Sequence, residues 1–295
     1  MLEHLNEKPA MPERVVVAGA SGFLGSALCR RLAGEGAAHI ALSSNEVDLA
    51  ADGAAEKLAG MLREGDALVM LAALTPDRGR DVATLMRNLR MAEQVCAALA
   101  ERPVAQVVYL SSDAVYSFRS ETVSEETPAE PGDLYAAMHR TRELIFQDAC
   151  KEMPLAVLRP TLLYGEGDTH GSYGPNWFRR QAAETGRISL GGEGEETRDH
   201  MFVADAAAVI AEVVRHRSRG LLNLASGRSE SFRRVAELVA GAFPREIEIA
   251  GSPRQFPITH RRFDVSAMRQ AFPDLAATPL EEGLEAAHAE VAEVG

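Results

Sequence analysis

The 295-residue sequence predicts an α/β fold, a doubly wound parallel sheet carrying a smaller C-terminal lobe. Three observations lead there. Val15, Val16 and Val17 form an unbroken β-branched run, the mark of a strand buried on both faces. Leu24, Ala27, Leu28 and Leu32 then recur at helical spacing, so a helix follows the strand after a short turn. From there to about Val157 short apolar runs alternate with amphipathic stretches, the order that builds a parallel sheet with helices on both faces.

The turn itself, in VVVAGASGFLG, carries Gly19, Gly22 and Gly25. Gly19 allows the tight turn, Gly22 lets the backbone approach a phosphate, and Gly25 lets the helix pack close to the strand. Free backbone N–H groups and the positive end of a helix dipole converge at such a turn, which suits a pyrophosphate. The spacing G-x-x-G-x-x-G is not the G-x-G-x-x-G of the usual dinucleotide dehydrogenases. In the form GASGFLG it resembles the short-chain dehydrogenase/reductase superfamily. Within that superfamily it resembles the extended branch, the NAD-dependent epimerase/dehydratase family of nucleotide-sugar epimerases, dehydratases and ketoreductases. The resemblance implies a Rossmann-type domain binding NAD or NADP, with Gly19, Ser21, Gly22, Phe23, Leu24 and Gly25 around the cofactor.

Composition narrows the class. Apolar residues at 46% and charged residues at 25% are ordinary for a soluble globular protein. A net charge of −12 argues against a nucleic-acid or anionic-membrane partner and for a soluble surface. Cys29, Cys96 and Cys150 lie far apart in apolar helical patterns, as buried thiols of a reduced, cytoplasmic protein do, and no metal-ligand spacing is visible. The first residues, MLEHLNEKPAMPER, have no apolar core and so do not read as a signal peptide; residues 1–11 are expected to be a loose extension. No apolar run approaches the ~20 residues that span a bilayer.

Ala38 to Leu42 is the second strand, after which an acid commonly binds the adenosine ribose of NAD. Ser43, Ser44 and Asn45 stand there instead. They leave room for a 2′-phosphate, yet no arginine is present to hold it, so the choice stays open with a lean to NADP. Asp48-Leu49 resembles the family's pair beside the adenine; a helix cap is the other reading of Asp48. Ala54 to Leu62 is a helix, and Ala67 to Leu71 a strand ending in Ala72 and Ala73, small enough for a flat ligand to lie on. The resemblance puts Leu71, Ala72 and Ala73 on the cofactor. Thr84 to Ala100 is a long helix whose Asn88 matches a family asparagine, or else ties helix to loop by a buried hydrogen bond.

Val104 to Leu110 is the next buried strand and runs into Ser111-Ser112-Asp113-Ala114-Val115-Tyr116. This resembles the family's S-S-x-x-V-Y-G, with Ser117 in place of the glycine. The resemblance makes Ser112 the catalytic hydroxyl, Leu110 a cofactor neighbour and Asp113 a substrate neighbour. The sugar dehydratases have Asp-Glu here, and Ala114 removes the second acid that water elimination needs. Glu121 to Asp133 is a polar, proline-punctuated loop.

Tyr135-Ala-Ala-Met-His139 opens a helix running to about Lys151. Residues four apart share a helix face, so both side chains point the same way. The superfamily has Tyr-x-x-x-Lys, its lysine holding the nicotinamide ribose and lowering the tyrosine pKa. His139 replaces that lysine, and histidine is often uncharged at neutral pH. Either His139 serves in its place, or the site is slow or inactive. Leu155 to Leu158 is a strand, and Leu158 to Gly165 resembles the family's L-R-x-x-N-x-Y-G. That adds Arg159 to the cofactor set, while Leu162 replaces the asparagine that often holds a sugar-nucleotide phosphate.

Residues 165–174 are a glycine-rich loop, and Asn176 to Glu184 is helical, with Asn176 a substrate candidate. Arg198-Asp199-His200-Met-Phe-Val-Ala-Asp205 resembles the family's R-D-x-x-x-V-x-D. There the arginine reaches a substrate phosphate and the last acid opens a helix; a buried salt bridge is the alternative for Arg198. Leu221 to Gly227 resembles the family's N-x-x-S-G strand, before a helix beginning near Ser231. His260-Arg261-Arg262-Phe-Asp264 resembles the family's arginine-rich approach to its last helix, which implies a substrate contact through Arg261; read by itself the cluster is a solvated basic face.

Residues 12–166, with 200–226 returning to them, are therefore expected to form the NAD(P)-binding Rossmann domain, and 167–295 the substrate lobe. The resemblance implies an NAD(P)-dependent nucleotide-sugar epimerase, with Ser112, Tyr135 and His139 catalytic and a homodimer as the assembly. An NADP-dependent ketoreductase is the alternative. A dinucleotide-binding sensor without turnover is a third reading, motivated by His139.

Overall fold

The computed structural model describes residues 1–168, 171, 173–254 and 257–293. Its main sheet is built outward from β1 (Arg14–Ala18). β1 pairs in parallel with β2 (His39–Leu42) on one side and β3 (Asp66–Met70) on the other. The alternation within β1 decides the layers. Val15 and Val17 face α1 (Phe23–Gly34), against Leu24, Leu28 and Leu32. Val16 and Ala18 face α2 (Ala54–Ala59) and α3 (Val82–Glu101), against Leu58, Val95 and Leu99. A strand buried on both faces needs a continuous apolar run, which is what the sequence has here. β4 (Gln106–Leu110) pairs with β3, the short β5 (Thr122–Val123) leaves the sheet, and α4 (Leu134–Ala149) packs on the α3 side through Phe146. β6 (Leu155–Pro160) rejoins the sheet beside β4.

The chain then builds a second core from β7 (Leu162–Tyr164), α5 (Pro175–Thr185), β8 (Arg187–Gly191) and β9 (Thr197–Phe202). It returns through α6 (Val203–Arg215), which packs on α1, and β10 (Gly220–Leu224), which pairs with β6 and closes the order β10-β6-β4-β3-β1-β2. β11 (Ser229–Ser231), α7 (Phe232–Gly241) and β12 (Glu248–Ser252) go back to the second core, where Phe178, Ile188, Leu190, Phe232 and Val235 are buried together. β8 pairs with β12, and β9 lies between β7 and β11. β13 (Arg262–Phe263) pairs with β5, followed by α8 (Ser266–Ala271) and α9 (Leu280–Glu293). Among the described residues no helix is long and apolar enough to cross a membrane.

Strand order reverses at β1, with β2 on one flank and β3 on the other. A crevice therefore opens beyond the carboxyl ends of β1 and β3, where a doubly wound sheet takes its ligand. The second core stands beside the carboxyl ends of β4 and β6, where Ser112 and Thr161 leave the sheet.

Two local expectations need correction. Residues 1–11 are not loose: Glu3 bridges Arg219 through the backbone, and the His4 ring contacts Ser218 Oγ at 2.8 Å and Ala271 O at 2.9 Å. Polar strapping of this kind has no periodicity for sequence reading to detect. The polar loop from Glu121 also contains β5, which two residues of backbone pairing with β13 define.

Candidate active site

The glycine turn joins β1 to α1. Gly19 has φ +91°, and a Cβ there would lie 2.6 Å from the Ala72 nitrogen, so turn and β3 terminus touch only because the residue is glycine. A Cβ on Gly25 would strike the Gly19 carbonyl oxygen. Gly22 is the N-cap of α1, and no side chain satisfies the first N–H groups of that helix. Phe23 and Leu24 are buried in the core, so only their backbone can serve a ligand, while Ser21 is exposed.

Next to this turn, Gly19, Ser43, Ser44, Asp48, Leu49 and Ala72 line a small cleft, together with Val47 and Met91. Asn45 donates its backbone N–H to Ser43 Oγ at 3.2 Å. Asp48 does not cap a helix, since α2 starts after Gly53; its carboxylate accepts the Ala50 N–H at 3.0 Å in a turn. Glu46 belongs to the same loop. Its carboxylate accepts the Ser43 N–H at 2.8 Å and the Ser43 hydroxyl at 2.5 Å, so an acid does stand at this loop, three residues later than expected.

The carboxyl end of β4 delivers Ser112, and the first turn of α4 delivers Tyr135. Asp133 caps that helix by accepting the Ala136 N–H at 2.8 Å, which fixes where the face begins. Ser112 Oγ accepts the Ala114 N–H at 3.2 Å. Burial pushes the Tyr135 phenol up to about 12, the neighbouring Ser112 hydroxyl pulls it back and Asp113 adds to the rise. At neutral pH Tyr135 is a protonated phenol.

His139 is one turn on, its ring edge-on to Tyr135 with centroids 4.8 Å apart. It is 3% exposed. Its Nδ1 contacts the Tyr109 hydroxyl of β4 at 3.0 Å, and its buried Nε2 has no hydrogen-bond partner. Burial pushes His139 down to about 3, and Arg142 pushes in the same direction. Histidine here is an uncharged ring with one nitrogen committed and one waiting. Tyr109 and Arg142 were not singled out in the sequence. The signal for Arg142 was present, because it continues the face of Tyr135 and His139 at the next turn of a helix, where a charged residue is out of place.

Three expected cofactor residues have other occupations. Arg159 is buried and forms a two-pronged pair with Glu143, at 2.8 and 2.7 Å, which locks β6 to α4. Burial works to raise Glu143, yet Arg159, Ser111 and Arg140 hold it below the usual carboxylate range. The guanidinium also lies over the Tyr116 ring, so both of its described engagements are with the protein interior. Asn88 accepts the Leu74 N–H at 2.8 Å and donates to Leu74 O and Thr84 O, which leaves both amide protons used and makes it the tie between helix and loop. Leu110 packs against the apolar core below the sheet's end. Leu71 and Ala73 are partly exposed beside Ala72.

On the substrate side a cavity of about 690 Å³ opens on the second core, lined among others by Phe118, Tyr173, Arg198, Phe232 and Arg254. Arg198 donates to Thr197 O, Thr259 O and Thr259 Oγ1 and stacks on Phe118, with the ring centroid 5.0 Å away. Among the described residues it has no carboxylate within salt-bridge distance, so the salt-bridge alternative is not what holds it. Arg261 is buried. It donates to Asp113 O, Tyr116 O and, at 3.3 Å, to the Asp113 carboxylate, and so braces the Ser112 segment rather than forming a solvated face. Asn176 is buried and accepts the Gly165 N–H at 3.1 Å, an internal lock of the lobe.

Two observations fit a nicotinamide dinucleotide: an uncapped helix start behind Gly22, and the unpartnered buried Nε2 of His139 beside Tyr135. The fold and site thus define a dinucleotide-dependent enzyme of the Rossmann type. The chain belongs to the NAD dependent epimerase/dehydratase family, whose model matches residues 15–225. It is 30% identical over 270 residues to dTDP-4-dehydrorhamnose reductase of Mycobacterium tuberculosis, covering 87% of this chain and 84% of the relative. It is 27% identical to UDP-glucose 4-epimerase of Mycolicibacterium smegmatis, over 92% of this chain and 96% of that one. Among solved structures, GDP-L-fucose synthetase from Naegleria fowleri superposes with a TM-score of 0.89 at 16% identity, covering 99% of this chain and 98% of that chain, and so shares the fold. Members of the family use NAD or NADP on nucleotide sugars.

Proposed function

We propose that this chain is an NAD(P)H-dependent ketoreductase acting on a keto group of a nucleotide sugar. The observation that carries this reading is the uncharged pair Tyr135–His139 beside Ser112. Reduction of a ketone needs a proton donor, and a buried phenol with no lysine next to it rests as one. Ser112 holds the carbonyl oxygen, and Tyr135 gives it a proton as the carbonyl carbon is reduced. His139 positions the nicotinamide ribose through its free Nε2. The N-terminus of α1 holds the pyrophosphate, and the loop from Ser43 to Leu49 takes the adenosine. When bound, the dinucleotide supplies the hydride. The lobe cavity is within the size of a small-molecule site, and Arg198, which has no carboxylate partner among the described residues, suits a diphosphate. A second copy would meet this one through the exposed Val82 and Met86 of α3 and Leu144 of α4, as the expected homodimer.

Epimerisation is the second reading, favoured by the similarity to a 4-epimerase along nearly the whole chain. The test is a panel of nucleotide 4-keto sugars with NADH and NADPH, followed by loss of reduced-nicotinamide absorbance. Stoichiometric oxidation supports the reductase. Interconversion of sugar epimers with no net oxidation would replace it by the epimerase, and dinucleotide binding without any turnover would leave the sensor.

A further inference from the structure

Arg142 is a buried charge that the catalytic reading above does not use. It is 0% exposed, on the face of α4 that carries Tyr135 and His139. Among the described residues no carboxylate lies within salt-bridge distance of it. Its guanidinium donates to Ala72 O at 2.9 Å, lies over the Tyr109 ring with the centroid 5.1 Å away, and keeps a buried Nε without a partner. Burying an unpaired cation costs several kcal/mol, so a structural filler would not be charged. The neighbours explain the arrangement. Tyr109 links Arg142 to His139, and Ala72 links it to the end of β3 beside the glycine turn. A cation at 139 is absent, and a cation at 142 is present one turn deeper.

We propose that Arg142 supplies the positive charge that stabilises the Tyr135 phenolate left after proton donation, so that charge and ribose contact are divided between Arg142 and His139. Arg142 is a positioning residue, acting on Tyr135 across the interior, and the inference rests on the catalytic reading of Tyr135 above. The other groups around Tyr135 are the uncharged His139 ring, Ser112, which lowers its pKa, and Asp113 and Asp133, which raise it. Arg142 is also felt by Cys96 of α3 and Tyr109 of β4.

The test reads Tyr135 directly, without substrate. Site-specific 3,5-difluorotyrosine at position 135 brings the titration into the range where the protein stays folded, and fluorine NMR follows it. Arg142→Met keeps the volume and removes the charge, and its midpoint is expected to rise by about one pH unit, a tenfold loss of phenolate. Arg142→Lys keeps the charge and is expected to hold the midpoint within about a third of a unit. Arg142→Met combined with His139→Lys is expected to bring it back. Circular dichroism checks that each variant is folded. The proposal is overturned if Arg142→Met leaves the midpoint unchanged, if Arg142→Lys moves it as far, or if the double variant stays where Arg142→Met put it. Absence of turnover on every nucleotide sugar would end the enzymatic reading instead, and the midpoints would still decide the role of Arg142.

Discussion

His139 makes the protein acid-sensitive by an amount that can be worked out. In the unfolded chain a histidine takes up a proton near 6.5; in the folded chain burial and Arg142 hold it down to about 3. Below the unfolded value the unfolded state binds the extra proton and the folded state does not, so stability present above pH 6.5 is lost as pH falls towards 3. Each pH unit in that window is worth about 1.4 kcal/mol, so His139 alone removes about 2 kcal/mol by pH 5 and about 4 kcal/mol by pH 3. His139→Gln keeps a polar group next to Tyr109 and cannot take the proton. Urea unfolding of the cofactor-free protein at pH 7 and pH 5 is expected to show wild type losing about 2 kcal/mol more than His139→Gln over that interval. The buried His200, also pushed down to about 3 by burial, titrates in both proteins and cancels in the comparison. Equal losses in the two would refute the reasoning, because they would mean that His139 is reachable by protons in the folded state.

Other outcomes follow from the same geometry. Gly22→Val is expected to abolish dinucleotide binding by calorimetry with the fold intact, because only the Gly19 carbonyl oxygen crowds a Cβ there and the rest of the side chain enters the pyrophosphate position. Tyr135→Phe should lower turnover at least ~100-fold with cofactor affinity little changed, as measured by initial rates and calorimetry. Glu46→Gln is expected to raise the use of NADPH relative to NADH several-fold in paired kcat/KM measurements, since a carboxylate bonded to Ser43 disfavours a 2′-phosphate at that loop. His139→Lys alone should lower the melting temperature and fail to raise activity at neutral pH, because it puts a second cation one turn from Arg142 in the interior.

The conformation of the glycine turn was legible because most of its reasons are local. The positive φ of Gly19 and the uncapped helix start at Gly22 are written in consecutive residues, whereas the approach of Gly19 to Ala72 depends on the pairing of strands. The alternation of strands and helices was legible for the same reason, since hydrophobic periodicity is a property of short windows. Asn88 takes the second of its two readings, the tie between helix and loop, and the ion pair of Arg159 was not foreseen, because motif position says where a side chain starts and not what it spends its donors on. Glu143 lies sixteen residues before Arg159, and the partner of Asn88 is a loop backbone. Neither pair repeats at a helix or strand period, so hydrophobic periodicity does not reveal it. Tyr109 and Arg142 failed to stand out for a related reason, as their link to His139 crosses from β4 to α4.

His139 shows where sequence reasoning stops. Read alone, the missing lysine is a lost charge and a weakened site. Read with the structure, the position splits into two demands, a ribose contact and a positive charge, and these need not come from one side chain. In the proposed division the uncharged ring takes the first, and its low pKa follows partly from Arg142, which takes the second. Two cations could not share this interior without desolvation and mutual repulsion exceeding what either contributes. The replacement of lysine at 139 and the burial of arginine at 142 therefore make physical sense only together, and a change at one position has to be judged with the other in place.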